Sequence, residues 1–280
     1  MKSQVQVRGA TALVTGAGSG IGRATAGALA RSGATVLCVD VDEIGAKTTA
    51  ASCEDLGVAS VPYVCDVADR AAMEELADEV RRVHGVLDIL VNNAGVGMSG
   101  RFGDLSLDDW EWIRSINLDG VVHGCHAFGT AMADRGRGHI VNVSSGLAFL
   151  PRSTEVAYCT TKAAVWMFTR SLRADWRTRG VGVSAVCPGV VNTPILTRGR
   201  FVGPMWTPET IRLAQRGFGW GHSPHVVAAA VLDAIRRDRP MVAPGFESRL
   251  LWHLQKLLPL AVGDLIGRPP PQLVLRRLGS

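Results

Sequence analysis

The stretch Thr11 to Gly22, T-A-L-V-T-G-A-G-S-G-I-G, constrains this chain most, because an apolar run of β type turns within a few residues into a helix and glycines punctuate the turn. Gly16 suits a tight turn with unusual φ, Gly20 lets a pyrophosphate approach bare backbone, and Gly22 lets the new helix lie close on the strand. The helix N-terminus then presents unpaired N–H groups to an anion. The spacing Gly16, Gly20, Gly22 is G-x-x-x-G-x-G, not the G-x-G-x-x-G of the standard dinucleotide fingerprint. The choice between a phosphate cradle and an ordinary glycine-rich turn therefore falls to the residues downstream of Gly22.

The pattern predicts a helix from Gly20 to Ser32, stopped at Gly33, and a strand from Ala34 to Val39 that ends in Asp40. An acidic side chain there accepts hydrogen bonds from both hydroxyls of an adenosine ribose and repels a 2′-phosphate. Neither Val41 nor Ser19, the two positions that most naturally greet that phosphate, is basic. NAD is expected over NADP.

Further strands are predicted at Ser60 to Cys65, ahead of Asp66-Val67, and at Leu87 to Val91, ahead of Asn92-Asn93-Ala94-Gly95. Between them a helix opens at Asp69, turns Met73, Leu76, Val80 and Val83 to one face, and closes at Gly85. Small residues and amides at a strand's carboxyl end fit a crevice beside a ligand, and they also tie down loop backbone. Ser106 to Asp109 resembles a capping box before a long helix with Trp110, Ile113, Val121, Phe128 and Met132 as apolar positions. Asn117 sits inside it, where asparagine is mildly unfavourable and calls for a reason such as a kink or a bound water. His123 and His126 share a helix face, but no third ligand accompanies them and no metal is expected.

The strand Gly138 to Val143 ends at Ser144-Ser145, and a helix is predicted from Thr154 to Arg179, closed by Gly180. It carries Tyr158 and Lys162 at i and i+4, one turn apart on one face. The chain holds two tyrosines and four lysines against 26 arginines, so a lysine placed here is informative. An ammonium beside a phenol favours the phenolate and is expected to lower a pKa that is normally ~10, giving a proton donor and acceptor near neutral pH. The strand Val181 to Val186 leads to Cys187-Pro188-Gly189-Val190-Val191-Asn192-Thr193. From Pro194 to His222 the chain reads as irregular, with Phe201, Met205, Trp206, Phe218 and Trp220 among prolines, glycines and arginines. Val226 to Arg237, capped near Ser223, reads as a helix and Met241 to Ala243 as a short strand.

These motifs, in this order, resemble the single-domain branch of the short-chain dehydrogenase/reductase family over about residues 8 to 245. The resemblance implies an α/β fold: a doubly wound, Rossmann-like sheet of seven parallel strands with helices on both faces. It implies Tyr158 as general acid/base, Ser145 as holder of the substrate oxygen in preference to Ser144, and Lys162 at the nicotinamide ribose. Asn117 would hold a water of the proton relay. Gly16, Ser19, Gly20, Ile21 and Gly22 would meet the pyrophosphate, Asp40 the adenosine ribose, and Asp66 and Val67 the adenine. Asn93, Ala94 and Gly95 would line the middle of the cofactor, and Thr193 would meet the nicotinamide amide. A homodimer or homotetramer is expected by the same analogy.

Composition bounds the rest. The net charge of +5 is spread without a run that would track a nucleic acid, and no segment approaches the ~20 apolar residues of a membrane span or resembles a signal peptide. A cytoplasmic protein with reduced thiols is expected. A domain over 1–245 and an extension over 246–280 are anticipated; the tail from residue 240 holds 6 of 13 prolines. Glu247 to Leu258 is amphipathic, with Leu250, Leu251, Leu254, Leu257 and Leu258 on a broad face beside Trp252. Pro259, Pro269-Pro270-Pro271 and Arg276-Arg277 follow. Packing over the substrate loop or a neighbouring subunit is preferred to peripheral membrane contact. Leu147, Phe149, Leu150 and the aromatic loop point to a bulky hydrophobic secondary alcohol or ketone, steroid-, terpenoid- or lipid-like. Arg152, Arg198 and Arg200 keep an anionic substrate open. The competing account is a catalytically weak nucleotide-binding scaffold acting through its extension.

Overall fold

The structure, a computed structural model, describes residues 5–257 together with 262, 263 and 267. Leu258, Pro259, the prolines at 269–271 and Arg276-Arg277 lie outside the described residues. Nine strands follow in chain order: β1 Thr11–Thr15, β2 Thr35–Asp40, β3 Ser60–Val64, β4 Ile89–Asn92, β5 Met98–Ser99, β6 Gly138–Val143, β7 Val181–Val186, β8 Arg200–Phe201 and β9 Met241–Val242. All but β5 and β8 join one parallel sheet in the order β3-β2-β1-β4-β6-β7-β9. Strands buried on both faces need no polar alternation, and β6 and β7 are buried at every residue.

Successive strand residues face opposite sides of the sheet, which divides the core in two. Val14, Val36, Val141 and Val186 pack towards α1 (Gly20–Arg31), α2 (Glu43–Glu54) and α7 (Pro224–Arg237). Leu13, Leu37, Leu90 and Ile140 pack towards α3 (Arg70–His84), α4 (107–135) and α5 (Val156–Trp176). Each fully buried side chain of this size stabilises the fold by ~1.5–3 kcal/mol relative to exposure. The chain crosses between β3 and β4 to the far side of β1, so the sheet's strand order reverses there and a crevice opens outside the carboxyl ends of β1 and β4.

Several local expectations meet the structure closely. Asp69 caps α3 by accepting the Ala72 N–H at 3.1 Å, and Gly85 ends it at φ 77°. Val83, by contrast, is 53 % exposed and lies off the buried stripe of Met73, Leu76, Ala77 and Val80. Ser106 and Asp109 form the capping box of α4. That helix contains two π-helical turns, Ser115–Asp119 and Cys125–Gly129, and the first contains Asn117, which supplies the local irregularity its mid-helix position calls for.

Three stretches differ from expectation. α2 has no marked apolar stripe because it buries small residues, Gly45, Ala46, Thr49, Ala50 and Cys53, against the glycine turn. The irregular stretch 194–222 contains β8, paired with β5, and α6 (Pro208–Gly219) behind a Thr207 cap. α6 buries none of its residues, so proline and aromatic content conceals a helix with no core face. In α8 (Phe246–Leu257) the inward stripe is Ser248, Leu251, Trp252 and Gln255, whereas Leu250 and Leu257 of the anticipated leucine face are 42 % and 80 % exposed. Trp252 packs on Phe149 and Trp166, with ring centroids 4.9 and 5.7 Å apart. No helix among the described residues is long and apolar enough to cross a membrane. All six cysteines are free, five of them buried.

Candidate active site

The glycine turn is compressed from three sides. Gly16 and Gly20 have φ of 64° and 50°, conformations that suit glycine. A Cβ on Gly22 would run into the Gly16 carbonyl, so α1 starts hard against the end of β1. A Cβ on Gly16 would stand 2.8 Å from Ala94 Cα, and one on Gly20 would stand 3.1 Å from Thr193 Cβ. Ala94 and Thr193 therefore face the turn from the neighbouring strand ends, while Ser19 and Ile21 stay partly exposed at the mouth of α1.

Asp40, 7 % exposed, accepts the Gly18 N–H at 2.7 Å and the Asp42 N–H at 2.9 Å. The sequence pattern does not single out Gly18, although it lies within the glycine run; a Cβ on it would stand 2.8 Å from Asp40 Oδ2. Two arginines also reach this corner from positions that sequence adjacency does not reveal. Arg23 donates to the Gly18 carbonyl and, at 3.1 Å, to Thr49 Oγ1, and Arg198 pairs with Asp42 at 2.9 Å. Asp66 is exposed beside buried Val67, whose carbonyl lies 2.9 Å from His123 Nδ1. Among the described residues no group of three or more His, Cys, Asp or Glu side chains is arranged to hold a metal ion.

Asn93 ties the crevice together, donating from Nδ2 to the carbonyls of Thr15 at 3.0 Å and Gly16 at 3.2 Å. The preceding Asn92 serves the core, donating to Asn142 Oδ1 at 2.9 Å.

Beyond Gly95 the four expected polar residues converge. Lys162, 3 % exposed, donates to the Val143 carbonyl at 3.2 Å, and its Nζ lies 5.9 Å from the Tyr158 ring centroid. Asn117 is wholly buried: Oδ1 accepts the Val96 N–H at 2.8 Å and Nδ2 donates to the Val96 carbonyl at 3.0 Å. A Cβ on Gly95 would stand 3.1 Å from both Lys162 Nζ and Asn117 Oδ1, so this glycine lets the two meet the crevice floor. The two serines diverge. Ser144 donates to the Lys162 carbonyl at 2.7 Å, while Ser145 accepts the Leu147 N–H at 3.1 Å and its hydroxyl acts on the Tyr158 phenol.

The electrostatics reverse one expectation. Burial pushes the Tyr158 phenol up to about 12, with the Ser145 hydroxyl opposing the rise, and pushes Lys162 down to about 8. The phenol is raised, not lowered, because loss of solvent outweighs a cation whose nitrogen is 5.9 Å from the ring centroid.

The family model described as short chain dehydrogenase matches residues 10–200. The chain belongs to the short-chain dehydrogenase family. It is 43 % identical over 259 residues to the probable oxidoreductase EphD of Mycobacterium tuberculosis, covering 89 % of this chain and 43 % of that relative. The chain thus spans less than half the length of that longer protein. It is 42 % identical over 187 residues to the D-threitol dehydrogenase of Mycolicibacterium smegmatis, covering 67 % of this chain and 72 % of the relative. A solved short-chain dehydrogenase/reductase from Burkholderia phymatum, in complex with NAD, superposes with a TM-score of 0.83 at 29 % identity, over 96 % of this chain and 98 % of that one. The aromatic side chains expected near the site divide between two clusters and the surface. Tyr158, like Val96, Trp110 and Trp112, packs against the buried cluster of Met98, Ile113 and Ala157, and Phe201 meets Trp206 edge-on with ring centroids 4.9 Å apart. Phe149 faces the Trp166–Trp252 cluster, and Trp220 is 92 % exposed, so these two aromatics depart from the expected substrate-side wall.

Proposed function

We propose that this chain interconverts a secondary alcohol and a ketone with NAD, and that Tyr158 exchanges the proton at the substrate oxygen. The observation that carries the reading is the convergence of Lys162 Nζ and Asn117 Oδ1 on Gly95 beside Tyr158 and Ser145. The glycine turn fits a dinucleotide, since its close approaches leave no room for Cβ atoms at Gly16, Gly18 and Gly22. When bound, the nicotinamide supplies the hydride acceptor and donor at C4. Gly16, Ser19, Gly20, Ile21 and Gly22 would hold the pyrophosphate, Asp40 the adenosine ribose, Asp66 and Val67 the adenine, Asn93 to Gly95 the centre, and Thr193 the amide.

In the oxidative direction Tyr158 takes the alcohol O–H proton while the carbinol hydrogen departs with its electron pair. Ser145 donates a hydrogen bond to the same oxygen and fixes its distance from the phenol. Lys162 holds the nicotinamide ribose and favours the phenolate. Asn117 has spent its side chain on Val96, so a relay water would be held by its main-chain carbonyl inside the π-helical turn. The apolar side chains Val96, Met98, Trp110 and Trp112 that share a cluster with Tyr158, together with the edge-on Phe201–Trp206 pair, support an alcohol with large apolar substituents. Domain 1–245 would carry this chemistry, and assembly as a dimer or tetramer would follow the family habit.

The test is NADH formation on a panel of hydrophobic secondary alcohols with threitol as the polar comparison. Tyr158→Phe is expected to lower kcat by roughly 10²–10⁴-fold with NADH affinity within about twofold of wild type. Equal rates in the two proteins refute the assignment. Tight NADH binding without Tyr158-dependent turnover would mark a scaffold instead.

A further inference from the structure

Past β9 the chain turns at Gly245, whose φ of 93° lies in the region that favours glycine, and enters α8. The first turn of α8 reaches back to the site in two places. Glu247 Oε1 accepts the Val190 N–H at 3.1 Å, and Oε2 lies 2.9 Å from His222 Nε2. Ser248, wholly buried, donates to the Cys187 carbonyl, and its Oγ lies 3.1 Å from where a Gly146 Cβ would stand. Gly146 in turn donates its N–H to the Pro188 carbonyl at 2.7 Å, which binds the Ser145 loop to the same segment.

Val190 and His222 are the two roots of the segment 191–221, which lies over the glycine turn through Thr193, beside Gly20, and against Gly97 through Ile195. His222 N donates to Val190 O at 2.9 Å and Asn192 N to His222 O at 3.0 Å. One carboxylate thus bonds both roots, three residues before Thr193. The sequence makes room for it: a Cβ on Gly189 would run into Glu247 Oε1. Burial raises the Glu247 pKa, and the His222 and backbone hydrogen bonds more than reverse this and leave it lowered, so the carboxylate keeps its charge at this junction. Elsewhere the covering segment is lightly held. α6 buries no residue, β5 and β8 pair over two residues, and the Arg198–Asp42 pair is exposed, although Arg200 is held by Asp109 and lies over the Trp112 ring.

We propose that Glu247 is a positioning residue for the substrate. By clamping Val190 to His222 it sets the covering segment over Tyr158 and so governs how tightly the alcohol is held, without touching it. This rests on the reading of the site as an alcohol oxidoreductase. The glycine turn and Asp40 lie on other elements, and of the residues proposed to hold the cofactor only Thr193 lies on the covering segment, so NADH affinity moves less than KM.

The full chain with Glu247→Ala and Glu247→Gln tests this. In Glu247→Gln the amide oxygen still accepts from Val190 and the amide nitrogen still donates to a neutral His222. We expect KM for the best alcohol of the panel to rise about tenfold in Glu247→Ala, with kcat within about threefold and NADH affinity within about twofold, while Glu247→Gln restores KM. Trypsin, acting after Arg198, Arg200, Arg212 and Arg216, should cut Glu247→Ala about tenfold faster than wild type at unchanged Tm. A KM within twofold of wild type overturns the proposal, as does a rise in KM matched by an equal loss of NADH affinity and a lower Tm. Should wild type show no Tyr158-dependent turnover, the reading of the site fails first. Trypsin then decides the clamp alone, and equal cutting rates overturn it.

Discussion

Asp40→Asn isolates the charge that should choose between the two dinucleotides. The Asp40 carboxylate is 7 % exposed and held by two N–H groups, at 2.7 and 2.9 Å, so its position is fixed before any ligand arrives. A 2′-phosphate carrying one to two negative charges at ~4 Å from it would be repelled by ~4 kcal/mol per charge pair at an effective dielectric constant of ~20, or roughly a thousandfold in affinity. The neighbouring Arg198 offsets part of this, but it is already paired with Asp42. The amide keeps the shape and removes the repulsion, but its Nδ2 cannot accept the Gly18 or Asp42 N–H that one carboxylate oxygen takes, and hydrogen bonds to a charged acceptor, each worth ~1.5–3 kcal/mol, are lost. NADH affinity should therefore fall by about tenfold and NADPH affinity should rise, shrinking the preference by about a hundredfold or more. Equilibrium titrations of both reduced cofactors against wild type and variant measure this directly. Wild-type affinities for NADH and NADPH within threefold of each other, or an unchanged ratio in the variant, refute the reasoning.

Gly22→Ala drives a Cβ into the backbone carbonyl of Gly16, which no side-chain rotation relieves; a loss of about 1–3 kcal/mol in stability and of most NADH affinity is expected, and an unaltered thermal melt contradicts it. His139 is wholly buried against Ser184, and burial holds it down to about 4 against 6.5 when free. Between these values the unfolded chain binds a proton that the folded chain refuses, so stability present above pH 6.5 declines as pH falls towards 4. Urea unfolding at pH 7 and pH 5 should show wild type losing about 2 kcal/mol more than His139→Gln, and equal losses would sink the argument.

The features legible in the sequence are those encoded locally. The glycine turn, the Asp69 cap and the Ser106–Asp109 box each depend on residues within a few positions of one another, and the strands are apolar runs long enough to name themselves. α2 and α6 escape such a reading because hydropathy reports only faces that bury large side chains: one buries small residues against glycine, the other buries none. α8 is legible as a helix and its phase in part: Leu251, Trp252 and Leu254 of the anticipated face are half-buried, while Leu250 and Leu257 are exposed. Its innermost residue is Ser248, drawn inward by the Cys187 carbonyl, and no leucine count anticipates that. Arg198 reaches Asp42 across 156 positions, a contact that only the closed fold creates.

The Tyr158–Lys162 pair shows the same division within one site. Helix geometry alone puts the two side chains a turn apart, and a cation there favours a phenolate. That advantage exists only while the amine keeps its proton, and the burial that strengthens the attraction also pushes Lys162 down to about 8 and the phenol up to about 12. At neutral pH the phenol therefore stands ready to donate a proton, whereas accepting one requires that the phenolate first be stabilised. The groups at hand to do so are the Ser145 hydroxyl, which already opposes the rise, and the ammonium, which lies beside Gly95, where a single methyl would crowd Lys162 Nζ and Asn117 Oδ1. The protonation of the Tyr158 phenol is thus decided first by burial, a quantity that belongs to packing and not to the spacing of two residues on a helix.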